Sequence, residues 1–334
     1  MKIALFQPKS LFASWFSVGG YVSALTRMGH QVTEFAFPGN HVSNEALVQV
    51  RPEMPTIGQL NEQFDVVLSA YHECTQPWLS ALFRHEQWKR LTIPVIARFD
   101  ESMDREDLLL SRRIDELKSW ADYFSFPAVQ DAEKYGGRWV PYGSDLQMFG
   151  PGVFAGRASF PVSGEEKKYD VAFIGSMYPQ RKAYFDQLMT QFPQGYKFHV
   201  GNVLCQDLSG LLFKQSMELL AANYRQIKVF FCLPPMSRLI VQKVLDIMAC
   251  GTMVMYPRLP GAAAKNLTQF DEGQEIVYYD PGNVIDNGKQ IWQYLEDETG
   301  RESIAAAGHL RVVKDYTIEQ MLEAILSHKA AVAH

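Results

Sequence analysis

Residues 224–256, YRQIKVFFCLPPMSRLIVQKVLDIMACGTMVMY, restrict the fold more than any other stretch of the chain. The apolar run from Ile227 to Leu233 is rich in β-branched and aromatic side chains and predicts a buried strand. Two prolines break it. Helical spacing then runs from Ser237 to Cys250, with Ser237 as the expected N-cap and Gly251 as the expected C-cap. A second apolar run, Thr252 to Tyr256, follows at once. Strands joined by a crossover helix are parallel, so the stretch predicts a strand–helix–strand unit of a parallel sheet.

That helix is apolar almost all round, which predicts burial on most sides. Its polar residues are confined to one stripe: Arg238, Gln242 and Asp246 recur every four residues, with Lys243 beside them. A narrow stripe carrying both signs of charge suits a ligand that is anionic at one end and hydroxylated at the other. A nucleoside diphosphate is such a ligand. A stripe that simply meets water is the alternative.

The length, 334 residues, allows two domains with full cores. A net charge of −5 gives no overall attraction to nucleic acid or to an anionic membrane. Cys74, Cys205, Cys232 and Cys250 are too scattered for a metal site or a disulfide framework, which fits a reducing compartment. The N-terminal apolar run is too short for a signal peptide or a membrane span, so the expected location is cytoplasmic.

The rest of the chain repeats the α/β theme. A strand at Lys2–Phe6, a helix opened by Gly19-Gly20 and a strand at Gln31–Phe37 make one βαβ unit, with the glycines admitting a ligand's phosphate or serving only the turn. Strands at Asp65–Ala70 and Pro94–Phe99 flank a helix expected over Pro77–Arg90. Ligands bind beyond the carboxyl ends of parallel strands, which singles out His72, Arg98, Asp100 and Glu101. A charged amphipathic helix is expected over Asp104–Trp120. Pro, Gly, Ser and charge without period mark 144–168 as a linker. A second α/β pattern begins at Tyr169, where a strand runs into a Gly175-Ser176 loop and a helix with Arg181 and Lys182 in its first turn. Basic residues there oppose the helix dipole, so a bound anion would relieve a penalty. Helices near Val284–Glu298, Ser303–Tyr316 and Ile318–Lys329 end the chain.

Three motifs carry a family resemblance. VGGYVSALTRMGHQV resembles a Gly-Gly helix ending in Gly-His-x-Val, VPYGSDLQMFGP resembles a Pro-x-Gly-x-Asp-x-x-x-Phe-x-Pro element, and LDIMACGTMVMY is similar to Glu-Ala-Met-Ala-Cys-Gly-x-Pro-Val. All three belong to the group-1 GT-B glycosyltransferases. DVAFIGSMYPQRKAYFDQL and KVLDIMACG most resemble the spore maturation protein CgeB-like type.

The resemblance implies two Rossmann-like domains facing across a cleft, with C-terminal helices closing the fold: residues 1–143 for the acceptor, 169–315 for the nucleotide sugar, and a helix in 316–334 packing back on the first domain. It implies a hexosyl- or pentosyltransferase with a UDP-sugar donor, GDP-sugar being the other option, and no tightly bound cofactor. In its terms Asp246 meets the ribose hydroxyls, while Arg181, Lys182 and Lys243 meet the diphosphate with Gly175 and Ser176. Gly19, Gly20, Arg238 and Gln242 complete the candidate binding set. Arg238 stands where the group-1 enzymes often carry a sugar-binding glutamate, and Asp246 is one methylene shorter than the usual glutamate. The resemblance implies retention, and metal independence is expected because the chain has no Asp-x-Asp pair. His72 and Asp100 are the candidate bases if the reaction inverts instead. An epimerase or phosphorylase on the same fold, or a non-catalytic protein with a decayed donor site, are the competing readings. The acceptor is open between glycan, protein and modified nucleic-acid base.

Overall fold

The computed structural model describes residues 1–8, 19–39, 42–103, 110–150, 167–175, 177–192, 198–201, 219–235 and 238–327. The chain forms two compact units. The first comprises residues 1–142, 237–239 and 318–334, and the second residues 143–236 and 240–317.

The first unit is built on a parallel sheet in the order β2-β1-β3-β4-β5-β6. Its strands are β1 (Lys2–Pro8), β2 (Gln31–Phe37), β3 (Val66–Ser69), β4 (Val95–Arg98), β5 (Tyr123–Phe126) and β6 (Arg138–Trp139). Six successive residues of β1 are buried, as a strand covered on both faces requires. The two-residue period sorts them. Ile3 and Leu5 join Tyr21, Leu25 and the helix Ile318–Leu326 on one face. Ala4 and Phe6 join Trp78, Trp88 and Trp120 on the other.

The last helix belongs to this unit because its apolar residues recur at helical spacing and have a place to go. Ile318, Met321, Leu322 and Ile325 are all buried in the cluster with Tyr21 and Leu25. Glu319 receives the Arg27 guanidinium, with Nε at 2.8 Å, and Arg138 donates to the carbonyl of Ala324 at 2.8 Å.

The second unit holds a parallel sheet in the order β11-β10-β9-β7-β8. Its strands are β7 (Tyr169–Ile174), β8 (Phe198–Gly201), β9 (Ile227–Phe231), β10 (Met253–Pro257) and β11 (Val277–Tyr279). The chain leaves β7 toward β8 and then returns past it to β9. That reversal makes the carboxyl ends of β7 and β9 the switch point, where open α/β sheets form a ligand crevice.

Several expected elements change shape. The helix after β9 is Gln242–Ala249, half the expected length, with Val241 as an N-cap that has no side-chain bond. Ser237 lies outside the described residues. At the other end Gly251, with φ of 71°, completes the expected stop: its N–H donates to Met248 and that of Thr252 to Ile247. The helix expected from Pro77 starts earlier, at His72, runs to Leu82 and is followed by a separate turn, His85–Trp88. Within Asp104–Trp120, residues 104–109 lie outside the described residues, and the remainder holds only short helices, Leu110–Arg112 and Ile114–Lys118. The start of the expected linker is ordered and belongs to the second unit, where Asp145 caps the helix Leu146–Phe149 through a 3.0 Å bond to the Gln147 N–H.

Candidate functional site

Two basic side chains meet at the switch point of the second unit. Lys243 leaves the first turn of the Gln242–Ala249 helix and donates from Nζ to the Ile174 carbonyl at the end of β7, 3.1 Å away. Arg181 leaves the first turn of the helix Pro179–Met189 and donates from Nε to the Pro234 carbonyl beyond β9, 2.9 Å away. Both lie over the ring of Phe173, Lys243 Nζ at 4.8 Å and Arg181 Cζ at 5.4 Å from its centroid. Arg181 also stacks on Tyr178 at 5.1 Å. The aromatic face is electron-rich and shields the two like charges only in part. Burial, assisted by the charge of Arg181, lowers the Lys243 ammonium to about 8.

Gly175 follows Ile174 and permits this approach. A Cβ there would sit 2.7 Å from Lys243 Nζ and 3.1 Å from the Phe173 ring. Ser176 lies outside the described residues. Lys182 is exposed and pairs with Asp186 at 2.7 Å on its own helix. The Pro179–Met189 helix has no acidic residue in its first turn and no side-chain cap at its N-cap, Tyr178. Its leading N–H groups therefore favour a bound anion.

Asp246 sits one turn beyond Lys243 and is fully buried. Ser144 donates to its Oδ1 at 2.7 Å, and Gln242 Nε2 approaches the same oxygen at 3.4 Å while donating to the Gly143 carbonyl at 2.6 Å. Asp246 Oδ2 and Gln242 Oε1 are buried without hydrogen-bond partners. Burial raises the Asp246 carboxyl to about 8 despite the Ser144 bond. Arg238 is not part of this stripe. It precedes the helix, is exposed and clusters with the first unit, where its carbonyl accepts from Gln130. The expected stripe thus loses Arg238 and keeps Gln242, Lys243 and Asp246.

In the first unit a second polar cluster lies beyond β3 and β4. Asp100 accepts from the Tyr71 N–H at 3.0 Å, from Arg98 Nε at 3.3 Å and from the Tyr21 hydroxyl at 3.4 Å. Its own N–H donates to the Glu73 carboxyl at 3.1 Å, and Tyr142 donates to its carbonyl. Burial, and then the nearby Asp100, raises the Glu73 carboxyl well above its ordinary range; burial also raises Asp100, against the pull of Arg98. Tyr71 adopts the left-handed conformation, φ 50° and ψ 52°, a strain of the kind that clusters at functional sites. Gly19 and Gly20 open the helix that carries Tyr21 into this cluster.

His72 does not join it as a base. Its imidazole is fully buried, with Nε2 donating to the Leu117 carbonyl at 2.9 Å and Nδ1 therefore accepting from Ser69 at 2.7 Å. Both nitrogens are committed. Burial drops its pKa to about 4. Its place after β3 suggested chemistry, but the side chain turns inward and ties two helices to the strand.

Sequence reasoning missed Ser144 and Phe173. Ser144 lay inside the Pro-x-Gly-x-Asp motif, yet no periodicity announces a partner 102 residues away. Among the described residues no three His, Cys, Asp or Glu side chains gather in a metal-binding group, and no helix is long and apolar enough to cross a membrane.

Comparison with known proteins agrees with this architecture. Residues 214–327, about a third of the chain, match the family described as "Glycosyl transferase-like". No curated protein matches the sequence. Among solved structures the chain is similar to sucrose-phosphate synthase from Thermosynechococcus elongatus, at 15% identity and a TM-score of 0.67 over 100% of both chains. It is also similar to Anabaena Alr3699/HepE in complex with UDP, at 13% identity and a TM-score of 0.61 over 99% of this chain and 100% of that one. An α-glucosyltransferase in complex with UDP-glucose and DNA containing an abasic site matches at 12% identity and a TM-score of 0.66 over 99% of each chain. With two Rossmann-like parallel sheets and a glycosyltransferase-like domain in its C-terminal part, the chain has the GT-B glycosyltransferase fold.

Proposed function

We propose that the protein transfers a sugar from a UDP-sugar to an acceptor hydroxyl. One observation carries the reading: Lys243, half-buried beside Arg181, pairs with no carboxylate among the described residues, at the switch point of a parallel sheet. Two adjacent cations on one ring repel each other, and an anion set against both offsets that repulsion. A diphosphate has the charge, and the leading N–H groups of the Pro179–Met189 helix add donors. HepE with UDP and the glucosyltransferase with UDP-glucose support UDP as the nucleotide of the donor, and GDP is the other option.

In this reading the anomeric C–O bond to the diphosphate breaks while Arg181 and Lys243 take up the charge developing on the leaving oxygen, without a metal. The acceptor oxygen bonds to the same face of the anomeric carbon, and its proton passes to the departing phosphate. Retention follows. No protein base is needed, which suits a fully engaged His72 and an Asp100 held by Arg98 and the Tyr71 N–H. Asp100 and Glu73 then shape an acceptor pocket in the first unit. Asp246 offers its unpartnered Oδ2 to a ribose hydroxyl; that oxygen is closed to solvent, so the cover over it shifts as the donor enters. The acceptor class is a glycan, a protein or a modified base.

Calorimetric titration tests the reading. UDP or GDP should bind the wild-type protein and bind Arg181→Ala and Lys243→Ala at least tenfold more weakly. No binding of either nucleotide to wild type would favour a non-catalytic protein.

A further inference from the structure

Apart from residues 237–239, which belong to the first unit, the chain passes from the first unit to the second at Tyr142–Gly143 and returns at Thr317–Ile318. Just inside the second unit these passages touch: Ser144 and Thr317 form a parallel bridge, and the Ser144 N–H donates to the Tyr316 carbonyl at 2.8 Å. The side chain of the same serine, fully buried, donates to Asp246 Oδ1 at 2.7 Å. Gln242 closes the arrangement by reaching both Asp246 Oδ1 and the Gly143 carbonyl. One carboxylate oxygen thus accepts two bonds, and the other accepts none.

A carboxylate has two equivalent oxygens, and something outside it must decide which is offered to a ligand. We infer that Ser144 is the positioning residue of the donor site. By occupying Oδ1 it fixes the rotation of the Asp246 carboxyl and leaves Oδ2 as the oxygen available to the nucleoside. Its backbone bond to Tyr316 holds the hydroxyl in place, so the setting depends on residues far from the helix in sequence. The inference rests on the proposed nucleotide-sugar function. Ser144 itself touches neither sugar nor phosphate in this scheme. Its effect should therefore appear only with ligands that carry ribose hydroxyls.

The probes are UDP and 2′,3′-dideoxy-UDP, which share base and diphosphate but differ in both hydroxyls. Each is titrated calorimetrically into wild type, Ser144→Ala and Ser144→Thr, with thermal melting of all three. Wild type should bind UDP about tenfold more tightly than the dideoxy analogue, the scale of one hydrogen bond. Ser144→Ala should lose that preference while binding the dideoxy analogue as wild type does, and Ser144→Thr should restore it. If the alanine variant does not fold, Ser144→Cys keeps the volume with a weak donor and should behave likewise. A preference that survives in the alanine or cysteine variant overturns the inference. So does an equal loss for both ligands, which would make Ser144 a purely structural residue. A wild type that binds neither ligand sinks the function reading first and the inference with it, and that outcome is distinguishable because it appears before any substitution.

Discussion

Lys243 and Arg181 reach the same aromatic ring, the ammonium 4.8 Å and the guanidinium carbon 5.4 Å from the centroid of Phe173. They arrive from two helices that follow different strands, β7 and β9. Replacing either by alanine should cost about 2–4 kcal/mol of transition-state stabilisation, the scale of losing one donor to a developing anion. Steady-state rates with a UDP-sugar check this. Rates within tenfold of wild type for both variants would remove the pair from the site.

Donor affinity should depend on pH through Lys243. Its folded pKa is lowered to about 8, so the charged form that attracts a diphosphate is present below that value and is lost as pH rises through it. UDP affinity should fall between about pH 7 and 9. In Lys243→Arg, whose guanidinium stays charged, that fall should flatten. Calorimetry across the range decides it; equal slopes for the two proteins would exclude Lys243 as the titrating group.

Asp246 should make the fold less stable as the solution becomes more basic. Its carboxyl is raised from 3.8 to about 8 by burial, so the folded state holds the proton more tightly than the unfolded chain. The resulting stability is complete below about pH 4 and is lost as pH rises toward 8. Asp246→Asn keeps the shape and removes the titration. Its urea unfolding free energy should decline less than that of wild type over this window, a difference on the order of a few kcal/mol.

His72 should behave as a structural residue. With both nitrogens bonded and the ring sealed, His72→Ala should cost about 2–4 kcal/mol of stability through two orphaned partners and a cavity. Because its folded pKa is lowered to about 4, its contribution is present above pH 6.5 and is lost as pH falls through 4. The pH–rate profile of the variant near neutrality should match wild type. Loss of the acidic limb, the low-pH fall that protonation of a base produces, would make His72 a base after all.

The terminal helix should matter through its apolar face more than its charge. Leu322→Ala removes a fully buried side chain and should cost about 2–5 kcal/mol in urea unfolding. Glu319→Ala breaks a half-exposed pair with Arg27 and should cost under about 1 kcal/mol.

Much of this was open to a reader of the sequence. The alternation of apolar runs with glycine turns and helical spacing determined two parallel α/β sheets, and β-branched runs located their strands to within a residue or two at Ile227 and Met253. The placement of Gly175, Arg181 and Lys243 beyond strand ends was legible too. Periodicity reports which side of an element is buried, but it is silent about which distant segment does the burying. That is why tertiary structure alone decided that Phe173 lies under both cations, that Ser144 holds Asp246, and that the imidazole of His72 turns into the core. It also removed Arg238 from the stripe, because a helix begins where its first turn packs, at Gln242, and not where the spacing first permits one.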